Sequence, residues 1–329
     1  MPELRQNIIT GDWVVIAPER AKRPQDFVIP ESVKVIKKED CPFCEGSAGY
    51  KENKRIHRAS TSHTYTIPNK YPAFVTQEKG VQIRSYYPEK EFYRARPAFG
   101  DHEVVVLKDH ELSLPTMPKH IATDMFEVIQ HRCQVMSKEE GIVSVMAIYN
   151  HGAEAGASIC HPHAQIFSSG IVANTVGKEL DGSEKYYGIN GKCIYCDIIE
   201  HELKEKSRVV YENEDFLAAT AYAARFPMET WIYPKKHMSS FEETPKSKIK
   251  NLADATIEVV SRINKLVPRA PLNFYIHSLP LTFESSSAYH WHLEIAPKLT
   301  NYGGFELGSG VIIDIMSPEE AAEYMRNKK

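Results

Sequence analysis

The sequence has no long apolar segment and little excess charge of either sign. No stretch reaches the roughly eighteen apolar residues that a membrane-spanning helix needs. The opening segment, MPELRQNIITGDWVV, contains no apolar signal core. We therefore expect a cytoplasmic protein with no membrane partner. A formal net charge of −3 gives no broad basic surface, so we expect no nucleic-acid partner either.

Cysteine is scarce, with six residues in 329, whereas histidine is abundant, with 14. In a reducing cytosol so few cysteines are not expected to form a disulfide framework. Four of them form two Cys-x-x-Cys pairs, Cys41 with Cys44 and Cys193 with Cys196. Paired thiols and many imidazoles direct attention to metal or proton chemistry.

An ordered set of features occurs twice along the chain. Each copy has a Cys-x-x-Cys pair, a β-rich run ending in histidine (EVVVLKDH, TWIYPKKH), an amphipathic helical segment, a second strand and a His-x-His step. The final spacings agree, since His161 follows His110 by 51 residues and His290 follows His237 by 53. We interpret this as a tandem duplication.

The duplication predicts an α+β fold of two similar units, each an antiparallel sheet with packed helices. Residues 1–180 would form the N-terminal domain, with the active site and the first zinc site. Residues 181–329 would form the C-terminal domain, with the second zinc site.

Each cysteine pair needs two further ligands to complete a tetrahedral zinc site. The strand-end histidine and the first histidine of each His-x-His step are the candidates in both copies. Two thiolates and two imidazoles suit zinc, and full protein ligation makes a site structural. The alternatives are a redox pair or free thiols, but neither pair has the parallel βαβ context of a redox motif. The predicted sets are Cys41, Cys44, His110 and His161, and Cys193, Cys196, His237 and His290.

The segment SICHPHAQIF, residues 158–167, separates the two histidines of the first copy by one residue. Alternate side chains of a strand share a face, so His161, His163 and Gln165 should line up. If His161 binds zinc, His163 is left as a general base, a ligand or a nucleophile. The preceding small-residue segment YNHGAEAGAS could cradle a phosphate or could be an ordinary turn.

These motifs resemble the transferase branch of the histidine-triad superfamily, in particular the galactose-1-phosphate uridylyltransferase family. The sequence His161-Pro-His163-Ala-Gln165 is similar to that family's His-Pro-His-Gly-Gln, with alanine in place of glycine. The segment APERAKRPQDF also resembles the family's N-terminal motif, and the resemblance spans nearly the whole chain. It implies that the α+β fold is a tandem duplication of a histidine-triad-like unit.

The resemblance implies a zinc-containing enzyme of galactose metabolism that transfers a uridylyl group from UDP-glucose to hexose 1-phosphate. The reaction would be ping-pong, through a nucleotidyl group bound to His163. Gln165 and Ser158 would assist catalysis. The residues implied to bind substrate are Arg20, Arg23, Asn69, Asn150, Gly156, Phe305 and Glu306.

The resemblance also implies a homodimer in which the segment GGFELGSGVIID reaches the partner's sugar site, although a glycine-turn hairpin is the plainer interpretation. The chain departs from some relatives by its second cysteine pair, so His277 and His292 need not be ligands there. Iron is an alternative metal for the second site.

Two other functions stay open. An ADP-glucose phosphorylase would pass an adenylyl group to phosphate on the same scaffold, and the departures favour it. A zinc-containing nucleotide-binding module without catalysis is the third hypothesis. In the second copy Glu294 replaces the glutamine, and no glycine-rich loop precedes His292, so we expect no second active site.

Overall fold

The computed structural model describes residues 2–18, 36–53, 56–76 and 97–327. Its strands are β1 (Glu3–Gln6), β2 (Trp13–Ile16), β3 (Ala59–Ser60), β4 (Thr64–Pro68), β5 (Gly100–Leu107), β6 (Ser144–His151), β7 (His163–Ser169), β8 (Val209–Glu212), β9 (Phe216–Thr220), β10 (Thr230–Pro234), β11 (Leu272–His277), β12 (His292–Pro297) and β13 (Ile312–Asp314).

The helices pack around these strands. They are α1 (Ala48–Asn53), α2 (Lys119–Met136), α3 (Asn174–Asn190), α4 (Ile194–Glu205), α5 (Lys246–Leu266), α6 (Gly304–Ser309) and α7 (Pro318–Asn327). The two amphipathic segments predicted as helices are α2 and α5, and their predicted apolar positions, such as Met125 and Ile263, are buried.

Both copies contribute to one ten-stranded sheet, in the order β3-β4-β5-β7-β6-β11-β12-β10-β9-β8. Every pairing within it is antiparallel. The halves join where β6 pairs with β11, with Asn150 opposite Asn273. Each half therefore repeats the same strand order outward from this seam, which confirms the duplicated α+β fold.

One face of the sheet is packed by α2 and α5, which also pack on each other. Alternate residues of the strands, including Val105, Ala164, Tyr149 and Phe274, are buried in this shared core. Because side chains alternate along a strand, His163 and Gln165 necessarily lie on the opposite face.

That opposite face is covered differently in the two halves. In the second half a separate cluster formed with α3 and α4 covers it, and includes Tyr195, Trp231 and Tyr289. In the first half, part of it is packed by the segment around the first cysteine pair, including Phe43 against Tyr65. The remaining first-half surface carries the candidate site.

The C-terminal segment is not a hairpin. Residues of GGFELGSG form α6, and β13 then runs parallel to β2 in a small sheet with β1. Glu306 accepts a hydrogen bond from the N–H of Gly303 and so closes the first turn of α6. The boundary predicted between residues 180 and 181 lies within α3. Within the described ranges, no helix is long and apolar enough to cross a bilayer.

Candidate functional site

The first cysteine pair is brought together with both predicted histidines. The side chains of Cys41, Cys44, His110 and His161 offer ligand atoms that all lie within 4.8 Å of one another. Cys44 Sγ lies 3.2 Å from Nδ1 of His110 and 3.5 Å from Nδ1 of His161. The two Nδ1 atoms are 3.0 Å apart. Both imidazoles thus face the thiols with the same nitrogen.

Backbone carbonyls hold the other nitrogen of each histidine. Nε2 of His161 donates to the oxygen of Leu107 at 2.5 Å, and Nε2 of His110 donates to that of Ile36 at 3.0 Å. These bonds place the proton on Nε2 and leave Nδ1 as the free lone pair, as in metal-ligating histidines.

The second group repeats this arrangement. Cys193, Cys196, His237 and His290 also converge within 4.8 Å, and Nε2 of His290 donates to the oxygen of Pro234 at 2.9 Å. Leu107 and Pro234 each lie three residues before the strand-end histidine of their copy. Cys193 precedes the first turn of α4, but the sheet is antiparallel, so the redox-motif context is absent here.

Both groups have the donor set and the dimensions of a zinc site. Around a tetrahedral zinc ion, neighbouring sulfur and nitrogen ligands lie roughly 3.3–3.8 Å apart. Cys196 Sγ is 3.5 Å from Nδ1 of His237 and 3.7 Å from Nδ1 of His290. The residues therefore fit a four-coordinate metal without a free ligand position.

His163 begins β7 and is 7% exposed. Its Nδ1 donates to the oxygen of His161 at 2.8 Å, which leaves Nε2 as the atom with a lone pair. Burial lowers the pKa of His163 below its usual value, so the ring is neutral at neutral pH. A neutral imidazole with one fixed tautomer can act as a nucleophile.

Amide side chains lie on the same face of the sheet as this histidine. Gln165 is two residues further along β7, and Asn69 follows β4. Asn69 Nδ2 lies 3.5 Å from Oε1 of Gln165. Oδ1 of Asn69 accepts the backbone N–H of Tyr71 at 2.9 Å, so the NH₂ group of Asn69 is the part free to donate. Such donors suit an anionic ligand.

The small-residue segment begins in the last residues of β6 and continues into the loop before β7. Asn150 is the penultimate residue of β6, within the predicted strand IVSVMAIYN. Gly152 and Gly156 both have φ +86°, a conformation that favours glycine. The N–H of Gly156 donates to Ala153 within the loop, whereas Ser158 is exposed.

Asn273, which the sequence analysis did not select, crosses the seam between the halves. Its Nδ2 donates to Oδ1 of Asn150 at 2.8 Å and to the oxygen of Ala155 at 2.7 Å. The first bond fixes the orientation of the Asn150 amide, and no bond to its NH₂ group occurs among the described residues. The strand order alone places Asn273 here, so no local motif could have identified it.

The four other predicted substrate residues cannot be joined to this group by any described contact. Arg20 and Arg23 lie outside the described residues. Phe305 and Glu306 lie on α6, where Phe305 is 55% exposed. Within the described chain, the Glu306 carboxylate accepts a hydrogen bond from the start of its own helix, at the N–H of Gly303.

The sequence motifs did not predict a third group of potential metal ligands. The side chains of Glu179, His277, His292 and Glu294 are wholly buried and converge within 4.8 Å. Among the described residues, Nε2 of His292 and Oε1 of Glu294 have no hydrogen-bond partner, and these two atoms lie 3.4 Å apart. Two carboxylates and two imidazoles could hold a divalent cation. The duplication could have indicated this group, because His292 and Glu294 match His163 and Gln165, but no motif marks Glu179.

His292 has no route to a substrate. It is 0% exposed, and its ring stacks on Trp231 with the centroids 4.8 Å apart. Tyr195 and Tyr233 lie against the same ring. The second copy therefore buries the position at which the first copy presents His163.

Models of known protein families match both halves of the chain. Residues 1–173 match the N-terminal domain of galactose-1-phosphate uridyl transferase, and residues 179–326 match its C-terminal domain. An ADP-glucose phosphorylase of Arabidopsis thaliana is 33% identical, over 99% of this chain and 92% of that protein. A galactose-1-phosphate uridylyltransferase of Thermotoga maritima is 31% identical, over 99% and 98%.

Solved structures agree with this assignment. The structure of an ADP-glucose phosphorylase from Arabidopsis thaliana with bound ADP-glucose superimposes with a TM-score of 0.83, at 31% identity, and covers the whole of both chains. A uridylyltransferase structure superimposes with a TM-score of 0.76 at 27% identity, over 100% of this chain and 98% of that one. The chain therefore belongs to the galactose-1-phosphate uridyl transferase family of transferases.

Proposed function

We propose that this protein transfers a nucleotidyl group from a nucleotide sugar to a sugar phosphate, with UDP-glucose as donor and a hexose 1-phosphate such as galactose 1-phosphate as acceptor. The observation that supports this proposal is the hydrogen bond in which Nδ1–H of His163 donates to the oxygen of His161. That bond leaves Nε2 free, and the donor side chains of Gln165, Asn69 and Asn150 lie on the same face.

The first half-reaction forms a covalent intermediate. The lone pair of Nε2 attacks the α-phosphorus, an N–P bond forms, and the bond from that phosphorus to the bridging oxygen breaks. The electrons of the broken bond leave with hexose 1-phosphate. In the second half-reaction a phosphate oxygen of the acceptor attacks the same phosphorus, and the N–P bond breaks to restore the neutral imidazole.

The surrounding groups would stabilise the negative charge on the phosphoryl oxygens. Gln165 donates to the phosphoryl oxygens, and the hydroxyl of Ser158 with the loop at Gly156 contacts the phosphates. Asn69 and Asn150 bind the nucleoside or phosphate, and Arg20 and Arg23 contact the diphosphate. Preorganised donors of this kind act without rearranging during the reaction.

The two Cys₂His₂ groups would each hold a structural zinc ion, with iron as an alternative in the second. Full protein ligation leaves no position for substrate, so the metal would only hold the fold together. At the first group it would fix His161, and through it the backbone that orients His163. The division into residues 1–180 and 181–329 and the cytoplasmic location remain predictions.

We further propose a homodimer in which Phe305 and Glu306 reach the sugar site of the partner subunit. The support is their placement on α6, where Phe305 is exposed and Glu306 is half-buried, and the absence, among the described contacts, of any bond from either to the His163 group. Glu306 would accept hydrogen bonds from sugar hydroxyls.

The nucleophile is tested by trapping the intermediate. Purified protein incubated with UDP-glucose labelled in the α-phosphate should retain about one label per chain after denaturation. His163→Ala should retain none, whereas His120→Ala, which changes an exposed histidine of α2, should label normally. Label that persists on His163→Ala would refute the assignment.

An ADP-glucose phosphorylase is the second candidate. The specific observation in its favour is the higher structural similarity to the ADP-glucose-bound Arabidopsis thaliana enzyme. A panel should compare UDP-glucose plus galactose 1-phosphate with ADP-glucose plus phosphate. Turnover of the second pair alone would replace the proposed donor and acceptor but keep His163 as nucleophile. If wild type forms neither product nor label, the non-catalytic module becomes the better account.

A further inference from the structure

A buried histidine outside the predicted set lies beside Gln165. His102, on β5, is 5% exposed, and its ring stacks on Phe167 with the centroids 3.9 Å apart. Its Nε2 lies 2.8 Å from Oε1 of Gln165. The contact joins neighbouring strands, because β5 pairs with β7.

The backbone determines which nitrogen of His102 carries the proton. The N–H of Ala73 points at Nδ1 of His102, with 3.3 Å between the two nitrogens. A backbone N–H can only donate, so Nδ1 must accept. Burial lowers the pKa of His102, which keeps the ring neutral at neutral pH. The single ring proton is therefore on Nε2.

This tautomer orients Gln165. Because Nε2–H is a donor, it must face the oxygen of the Gln165 amide rather than the nitrogen. Nδ2 of Asn69 approaches the same oxygen at 3.5 Å, and the Tyr71 contact fixes that group as a donor too. Asn69 Nδ2 and His102 Nε2 lie 3.1 Å apart. Both groups are donors, so they do not bond to each other but share the oxygen of Gln165 as their acceptor.

We propose that His102 is a positioning residue that holds the Gln165 oxygen, so that the Gln165 NH₂ group is directed to the phosphoryl oxygens of the nucleotide sugar. This inference rests on the proposed function, since it needs a phosphoryl group at His163. His102 acts through Gln165.

The orientation matters because the two ends of a primary amide have opposite polarity and nearly equal size. A reversed Gln165 would direct its oxygen lone pairs at an oxygen-rich, negatively charged group. The donor would be lost and a repulsion would replace it, where the transition state has the most charge to stabilise.

Two substitutions of similar polarity separate positioning from packing. In His102→Gln the amide nitrogen reaches about as far as Nε2, so a donor to Gln165 remains. In His102→Asn the amide nitrogen reaches only about as far as Nδ1, so that donor is lost. Both replace the aromatic ring and its stacking on Phe167 to a similar extent.

The readout is the rate of label transfer from the nucleotide sugar to protein. We expect His102→Asn to lower the maximal rate about 100-fold, with little change in the donor concentration for half-maximal rate. We expect His102→Gln to recover most of that loss, with both variants equal in metal content and thermal midpoint. Equal rates for the two variants, or a loss that follows the thermal midpoint, would reduce His102 to a packing residue.

A direct measurement does not depend on activity. Nitrogen-15 NMR of protein labelled in histidine distinguishes the tautomers, because an unprotonated ring nitrogen resonates far downfield of a protonated one. The signals lost in His102→Gln should show Nε2 protonated and Nδ1 bare, and the reverse would overturn the inference. If wild type takes up no label yet His102 has this tautomer, the proposed function fails while the orientation of Gln165 stands.

Discussion

The carbonyl oxygen of His161 accepts a hydrogen bond from Nδ1 of His163 at 2.8 Å. The side chain of the same His161 faces the thiols of Cys41 and Cys44. One residue thus connects the candidate metal group to the candidate nucleophile, through its backbone on one side and its imidazole on the other. The second copy has the same connection, where Nδ1 of His292 lies 3.2 Å from the oxygen of His290.

This connection makes the two metal groups unequal in their effect on catalysis. We expect about two zinc ions per wild-type chain, and about one in either Cys41→Ser or Cys193→Ser. Labelling at His163 should fall strongly in Cys41→Ser, because His161 loses its anchor, and much less in Cys193→Ser. Metal analysis and the labelling rate check this.

Near-zero zinc in wild type would refute both zinc sites. Equal loss of labelling in the two variants would show that the metals act only on global stability. A third equivalent of metal that persists when Cys41 and Cys193 are both replaced would belong to the buried group of Glu179, His277, His292 and Glu294.

Asn273 should matter although it belongs to the other half of the chain. Asn273→Ala removes the donor that orients Asn150 and holds the oxygen of Ala155. We expect kcat/KM for the nucleotide sugar to fall about tenfold, because misplaced binding groups weaken the transition state. Asn273→Asp should be worse, since its carboxylate would repel both oxygens. Unchanged kinetics in both variants would exclude this role.

The proposed dimer can be tested by mixing two inactive chains. If Glu306 serves the partner's site, a heterodimer of His163→Ala and Glu306→Ala chains has one intact site, so a refolded equimolar mixture should recover about a quarter of wild-type activity. If Glu306 serves its own chain, the mixture stays inactive. Light scattering should first establish that each chain is dimeric.

A buried ion pair on the helix-packed side of the sheet should contribute strongly to stability. Glu103 on β5 is 0% exposed and binds Arg132 of α2 through both oxygens, at 2.8 and 2.6 Å. Of the ion pairs that the described residues make with this carboxylate, Arg132→Met leaves the one to Arg58, and it should lower the free energy of unfolding by about 3 kcal/mol. The exposed pair of Lys178 and Asp12 is the control, since Lys178→Ala should change it by less than about 1 kcal/mol. Urea denaturation compares them, and similar midpoints for both variants would contradict the prediction.

Local patterns in the sequence were sufficient to predict the fold class. An apolar period of about 3.6 residues predicted α2 and α5. Runs rich in β-branched and aromatic residues predicted the strands around them, and the repeated order predicted the duplication. The histidine motif was slightly misplaced, because β7 begins at His163 and His161 lies just before it. The helix in the C-terminal segment was harder to predict, since FELGSG is short. Its first turn is stabilised by a carboxylate cap, and no apolar periodicity marks it.

The sequence by itself determined which side chains share a strand face and which cysteines and histidines recur at matched positions, because these depend on local geometry and spacing. Only the tertiary structure decided that the two halves share one sheet, that Asn273 meets Asn150, and that His102 meets Gln165. Those contacts join residues separated by 123 and 63 positions, and strand order, which no local pattern encodes, brings them together. Tertiary packing also decides that the second copy buries its second histidine, because α3 and α4 cover the strand face at His292.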